Sequence, residues 1–120
     1  MLHLHGGAWI STSSFFHQNY LRKWANSLGE DTLVLAPDYR KAPEFKYPAA
    51  HEDCWQAYLW VLHLAKFYFR TNVRKIIISG DSAGGNMAIS TVFRAIKFGV
   101  RIPDAVFLVY PVPTTTFEVE

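Results

Sequence analysis

The chain of 120 residues has only one cysteine and little net charge. Cys54 has no partner for an internal disulfide, and its position between acidic residues and Trp55 predicts a buried structural thiol rather than a reactive one. Twelve Lys and Arg against ten Asp and Glu give a formal net charge of +2, too small for a nucleic-acid footprint. We therefore expect neither a disulfide framework nor a nucleic-acid partner.

Long hydrophobic runs are also missing. The longest, Trp55 to Phe69, is interrupted by His63 and Lys66 and is too short to span a bilayer. The first residues show no basic segment followed by an apolar stretch, so we expect no signal peptide. Together with the absence of a disulfide framework, this predicts a cytoplasmic protein.

Short apolar segments alternate along the chain with longer amphipathic ones, and half of the residues are hydrophobic. The apolar and β-branched runs predict strands over residues 1–5, 32–36, 75–79 and 104–110. Helical periodicity predicts helices over residues 15–28, 49–69 and 83–98. Strands that alternate with helices predict an α/β fold with a mostly parallel sheet and helices on both faces. Reactive loops in such folds lie at the carboxyl ends of the strands.

The segment Gly80-Asp81-Ser82-Ala83-Gly84 fits the pattern Gly-x-Ser-x-Gly between a predicted strand and a predicted helix. A serine hydroxyl is a weak nucleophile, so a tight turn must project it to where a base can reach it. Side chains at positions 80 and 84 would clash in that turn, hence the glycines. The pattern predicts Ser82 as the nucleophile, and the alternative is a turn that binds phosphate or no ligand. Asp81 fits a local structural role better than tuning of the site.

A second glycine motif, His5-Gly6-Gly7-Ala8-Trp9, follows the first predicted strand. Loops of this type supply backbone amides to an oxyanion hole, and glycines let the backbone approach the substrate oxygen closely. We predict Gly6 and Gly7 as donors from this loop. Ala83, the residue after the predicted nucleophile, is the third predicted donor.

Every histidine precedes Ser82 in the chain: His3, His5, His17, His51 and His63. Hydrolases with this serine motif place the catalytic acid and then the histidine after the nucleophile. We therefore interpret His5 as a residue that orients its loop. The other four histidines are expected to be structural or exposed.

Three blocks together resemble the hormone-sensitive lipase family of α/β-hydrolases: His5 to Gly7, Asp38 to Pro48, and Gly80 to Gly85. The resemblance covers nearly the whole chain. It implies a partial α/β-hydrolase catalytic domain over residues 1–120, with four strands present in the spatial order second, first, third, fourth and the flanking strands missing. It also implies a carboxylic ester hydrolase that forms an acyl-serine intermediate, with no metal or other cofactor.

Finer features resemble one lipase within that family: the helix around Tyr20 and Trp24, and the segment Gly99 to Asp104 before Tyr110 and Pro111. This resemblance implies acylglycerols or cholesteryl esters as substrates, reached from the cytosol at lipid droplets. It does not predict the preferred acyl-chain length or the oligomeric state.

The chain departs from the family pattern in several places. Ala8 replaces the third glycine of the loop, and Lys41 replaces a leucine. The acids that follow Ser82 do not match the position of the family's catalytic acid: Asp104, Glu118 and Glu120. We therefore expect a fragment of a longer protein or an incomplete gene model, with little activity of its own because Ser82 lacks a base.

Three other interpretations remain open at the level of sequence. One is an esterase for smaller substrates, as in relatives such as arylacetamide deacetylase or microbial carboxylesterases. Another is a ligand-binding module, because some relatives lost the catalytic histidine and act as receptors. The last is an inactive truncated product.

Overall fold

The computed structural model describes residues 1–112, which form a parallel sheet with helices packed on both faces. The strands are β1 (Leu2–Leu4), β2 (Ile77–Asp81) and β3 (Ala105–Val109), and β2 lies between the other two. Leu2 pairs with Ile78, and Ile78 pairs with Val106, so all three strands run in the same direction. Their carboxyl ends therefore meet at one edge of the sheet, where Ser82 follows β2.

Four helices connect these strands: α1 (Ser14–Leu28), α2 (Ala49–His63), α3 (Ala65–Phe69) and α4 (Ala83–Lys97). Leu4 and Ile78 point from the sheet into a buried core that also contains Tyr58 of α2 and Met87 of α4. This alternation of inward and outward residues is the period of two that a strand imposes.

The opposite face of the sheet carries α1. His3, Ser79 and Phe107 lie side by side across the three strands. From α1, Tyr20 approaches His3 with ring centroids 5.6 Å apart, and Trp24 approaches Phe107 at 5.7 Å. The predicted α/β architecture with helices on both faces is confirmed.

Two predicted elements differ from the structure. Residues 32–36 were expected to form a strand, but they contribute a single parallel bridge, between Leu35 and Leu2. The bridge lies on the free side of β1, so the predicted spatial order holds although the described part of the chain has three strands rather than four. The helix expected over 49–69 is interrupted at Leu64, whose φ of −111° departs from helical values. No glycine or proline marks this break.

The buried thiol of Cys54 confirms its prediction. Its side chain is fully buried, its Sγ lies 3.5 Å from the sulfur of Met87, and burial raises the pKa of the thiol to about 12. A thiol with this pKa stays protonated at neutral pH and is a poor nucleophile. Among the described residues, no helix is both long and apolar enough to cross a membrane.

Candidate active site

Ser82 occupies a sharp turn between β2 and α4. Its backbone has φ 50° and ψ −117°, a conformation that a residue with a side chain adopts only under strain. The turn is fixed on both sides, because the Ser82 amide donates to Val109 O at 3.0 Å and its carbonyl accepts from Asn86 N at 3.3 Å. The hydroxyl is thus carried at the carboxyl edge of the sheet, directly before the amino end of a 15-residue helix.

Two glycines allow the turn to close. A side chain at Gly84 would collide with the carbonyl of Leu4, and one at Gly80 would collide with the carbonyl of Gly84. These contacts agree with the steric reason for glycine at both positions. β2 itself continues through Gly80 to Asp81, two residues further than predicted.

The loop after β1 is wound in an unusual conformation. Gly7, Ala8 and Trp9 have φ angles of 121°, 53° and 61°, so three consecutive residues lie in the region that favours glycine. The loop passes close to the serine turn, because a Cβ added at Gly6 would lie 3.2 Å from Ser82 Cβ. The structure thus brings together both glycine motifs, which are more than 70 residues apart in the chain.

The predicted oxyanion donors are not equivalent. The amide of Gly6 donates to Asp81 Oδ1 at 3.1 Å, so it is already engaged by a carboxylate. Gly6 is therefore not a free donor in this structure, and its role in an oxyanion hole stays a prediction. Within residues 1–112 the amides of Gly7, Ala8 and Ala83 have no acceptor.

His5 lies beneath its own loop. Its Nδ1–H donates to Gly6 O at 2.7 Å, and its ring stacks on Tyr39 with centroids 4.2 Å apart. The Tyr39 hydroxyl in turn donates to His5 O at 2.7 Å. Burial lowers the pKa of His5 and favours the neutral ring. These contacts tie a neutral, buried imidazole to the loop, and the orienting role of His5 stays a prediction.

Asp81 is the centre of a buried polar cluster between the sheet and α1. His17 Nε2 lies 3.2 Å from Asp81 Oδ2, and the Tyr20 hydroxyl lies 3.3 Å from Oδ1 and 2.9 Å from His3 Nε2. His3 Nε2 lies 3.4 Å from Oδ1, and the other nitrogen of His3 contacts Ser79 Oγ at 2.9 Å. The carboxylate therefore ties the glycine loop, β1 and α1 to the residue that precedes Ser82.

The charge of Asp81 is stabilised by these contacts. Burial alone would raise the pKa of this carboxyl group, but hydrogen bonds from His3, His17 and the Gly6 amide outweigh it and lower the pKa to about 2. The structural role predicted for Asp81 extends beyond the local turn, because its partners come from three other segments of the chain.

No base reaches the serine from the described residues. None of the histidines hydrogen-bonds to Ser82 within residues 1–112. Asp104, one of the acids after Ser82, lies at the opposite edge of the sheet, where it accepts from the Ile76 amide at 2.7 Å and pairs with Arg101. Glu118 and Glu120 lie outside the described residues. No group of three or more potential metal ligands occurs in the part of the chain that the structure describes.

Some residues near the site were not singled out from the sequence. Asn86 Oδ1 lies 3.1 Å from His51 Nε2, and Asn86 Nδ2 donates to Val112 O at 2.9 Å, so this side chain connects α4 to α2 and to the loop after β3. His17 and Tyr20 were also missed as partners of Asp81. Their spacing of three residues on α1 places both on the side that faces the sheet. Two polar residues on the buried side of a helix indicate a buried polar partner, which here is Asp81.

The chain is similar to known lipases and esterases. Mouse hormone-sensitive lipase is 40% identical over 114 residues, which cover 95% of this chain and 15% of that protein. An esterase of Mycobacterium tuberculosis, LipI, is 36% identical over 98% of this chain and 35% of its own length. A hormone-sensitive lipase from a metagenome library superimposes with a TM-score of 0.78 and 33% identity, over 92% of this chain and 35% of that one.

The chain spans only a part of the length of each of these relatives. A protein-family model described as alpha/beta hydrolase fold, in contrast, matches the chain over residues 1–120. The full match and the similarity to lipases and esterases confirm the resemblance found in the sequence. The chain belongs to the α/β-hydrolase fold family.

Proposed function

We propose that this chain carries the nucleophile and the oxyanion-binding loop of a serine-dependent carboxylic ester hydrolase. The conformation of Ser82 carries the proposal: a serine at φ 50° on a strand-to-helix turn, packed against a glycine loop with unbonded amides. Strain of this kind persists where the surrounding structure requires it, most often at functional sites.

In the proposed reaction, Ser82 Oγ gives its proton to a base from outside residues 1–112 and attacks the ester carbonyl. The ester C–O bond then breaks, the alcohol leaves with a proton, and water hydrolyses the resulting acyl-enzyme to the free acid. The negative charge on the carbonyl oxygen is stabilised by amides, for which Ala83 and Gly7 are the predicted donors that have no other acceptor. We add Ala8 as a donor in place of Gly6, because the Gly6 amide is bonded to Asp81. The amino end of α4 adds a favourable dipole.

The substrates in this proposal are acylglycerols or cholesteryl esters. The support is the 40% identity to a protein named a lipase, against 36% to an esterase. We also propose that the protein is cytosolic and meets these esters at lipid droplets. A base for Ser82 must come from outside residues 1–112, so turnover by this chain alone should be low.

A fluorophosphonate probe tests the nucleophile in a native extract of the source cells. Such probes phosphonylate activated serines, and trypsin releases Ser82 within the peptide 76–94. This peptide also contains Ser79 and Ser90, which serve as internal controls when fragmentation locates the adduct. We expect the adduct on Ser82 only.

Expression of Ser82→Ala in the same cells should remove the labelled peptide, while Ser90→Ala should leave the labelling unchanged. The proposed function would be contradicted if the peptide carried no adduct while other serine hydrolases in the same extract were labelled. It would favour a ligand-binding or inactive product.

A further inference from the structure

The connection between α2 and β2 exposes a cluster of large apolar side chains. Phe67 and Tyr68 are 67% and 70% exposed, and Leu64 and Phe69 beside them are partly exposed. Trp60 of α2 supports the cluster from below, with its ring centroid 5.3 Å from that of Tyr68. The name α3 patch is used here for Leu64, Phe67, Tyr68 and Phe69.

Positively charged residues are the chain neighbours of the α3 patch. Four exposed cations occur within or next to it: Lys66, Arg70, Arg74 and Lys75. None of them forms an ion pair within residues 1–112, and no Asp or Glu occurs between Asp53 and Asp81. The Lys66 ammonium lies 4.8 Å from the centroid of the Phe67 ring, so charge and aromatic surface are directly adjacent.

A cavity of about 350 Å³ opens next to the patch, and Lys66, which adjoins Phe67 of the patch, lines it. Part of the cavity lining is apolar and comes from Leu62, Val73 and Val100. Another part is basic or titratable and comes from His63, Lys66 and Arg101. An apolar lining next to cationic groups matches the chemistry of a phospholipid, which joins an apolar acyl chain to a charged headgroup.

We propose that the α3 patch docks this protein on a membrane surface that contains anionic phospholipid. Exposed aromatic side chains insert at the level of the headgroups, and the unpaired cations are attracted by the negative surface. Nucleic acid is disfavoured as the partner because Leu64 and the apolar lining of the cavity offer nothing to a base or a phosphate backbone.

The position of the patch determines how the protein would sit on the membrane. The α3 patch precedes β2, whereas Ser82 follows it, so the two lie at opposite edges of the sheet. Docking through the patch would hold the serine turn away from that membrane, so this contact is distinct from the one by which the serine site would meet esters at a lipid droplet. The interaction therefore goes beyond the proposed ester hydrolysis and does not depend on it.

Sedimentation with vesicles tests the docking surface. We expect the purified chain to sediment with vesicles of phosphatidylcholine and phosphatidylserine, to sediment poorly with phosphatidylcholine alone, and to be released by added salt. Each cation near the surface contributes about fivefold in affinity, so Lys66→Gln with Arg70→Gln should weaken binding by about 25-fold. Phe67→Ser with Tyr68→Ser should weaken it independently of salt.

A matched control uses Phe93→Ser with Lys97→Gln on α4. Phe93 is 66% exposed, close to the value for Phe67, and Lys97 lies one helical turn away. This variant also changes two exposed side chains, one aromatic and one cationic, and should bind vesicles as the unaltered chain does. Circular dichroism verifies that each variant is folded, and the side chains changed in the Gln variant are all exposed.

Several outcomes would overturn the proposal. Equal binding to vesicles with and without phosphatidylserine would rule out recognition of negative charge, and equal losses in the α4 control would rule out the patch. Self-association or binding of single-stranded RNA through the patch, without vesicle binding, would identify another partner. Fluorophosphonate labelling of Ser82 in extracts of source cells that express the patch variants should be unchanged, so a failure of docking remains distinct from a failure of the proposed function.

Discussion

Asp81 connects the nucleophile turn to the rest of the site through a single carboxylate. It precedes Ser82 in the chain, accepts from the Gly6 amide at 3.1 Å and contacts His17 at 3.2 Å. Its side chain is only 11% exposed, so solvent screens these interactions weakly. Removal of the charge should therefore affect both the stability of the fold and the order of the glycine loop.

We predict that Asp81→Asn lowers the free energy of unfolding by about 2 kcal/mol at neutral pH, the value that corresponds to a pKa lowered to about 2. Because the folded pKa lies below the unfolded one, this stabilisation is present above about pH 4 and is lost as the pH falls through about 2. Urea unfolding at several pH values measures it.

Asp31→Asn, at an exposed position after α1, is the control for the Asp81 variant. Hydrogen exchange of the peptide that contains Gly6 should also become faster in Asp81→Asn but not in the control. An unchanged unfolding midpoint between pH 7 and pH 3 for the unaltered chain would show that Asp81 does not stabilise the fold.

Ala8 also departs from the preferences of its residue type. Its φ of 53° costs an L-residue about 1–2 kcal/mol, whereas glycine adopts this angle freely. Ala8→Gly relieves this strain but adds flexibility to the unfolded chain, so we predict a gain of at most about 1 kcal/mol. Ala8→Val should destabilise the fold, since β-branched residues tolerate this conformation poorly. Thermal unfolding of both variants would reveal the opposite signs.

At the scale of elements, the amino end of α1 depends on a residue from another segment. Ser13 precedes the helix but makes no capping bond with its side chain. Asp38 replaces it, with Oδ1 accepting from the Ser14 amide at 2.6 Å and Oδ2 from the Ser14 hydroxyl at 3.1 Å. A negative charge at this position favours both the unpaired amides and the helix dipole.

We therefore predict that Asp38→Asn destabilises the fold by about 0.5–1 kcal/mol, reduced by salt because the side chain is half exposed. Glu30→Gln provides a control of opposite sign, because Glu30 follows the carboxyl end of the same helix and a negative charge there is unfavourable. Chemical denaturation at low and high salt measures both effects. Equal destabilisation by the two substitutions would contradict the dipole argument.

The sequence predicted best where local pattern and tertiary structure agree. The β-branched run before Gly80 and the periodic segment after Ser82 predicted β2, α4 and the turn between them. Residues 32–36 failed as a strand because an apolar run forms a strand only when a neighbour pairs along it, and only Leu35 is paired. The unavailable amide of Gly6 was not predictable either, because Asp81 reaches it across 75 residues of chain.

At the scale of the whole molecule, β3 forms one side of the described sheet. The strand pairs with β2 on one side and has no partner on the other side within residues 1–112. Two of its apolar residues are largely exposed, Val106 at 44% and Phe107 at 49%. A short apolar strand with an open edge is a template for pairing with another chain.

We predict that the isolated chain self-associates through β3, so that its apparent mass rises with concentration above 13.7 kDa in light scattering. Val106→Lys should reduce this rise, because a charge on an edge strand opposes pairing between copies. Ile96→Lys is the matched control: Ile96 is 58% exposed, but it lies on α4 and offers no sheet edge. A constant mass at all concentrations would show that the edge is inert. An equal reduction by both substitutions would instead assign the association to exposed apolar side chains in general. Pairing along a sheet edge can be disturbed by the substitution on the strand but not by the one on the helix.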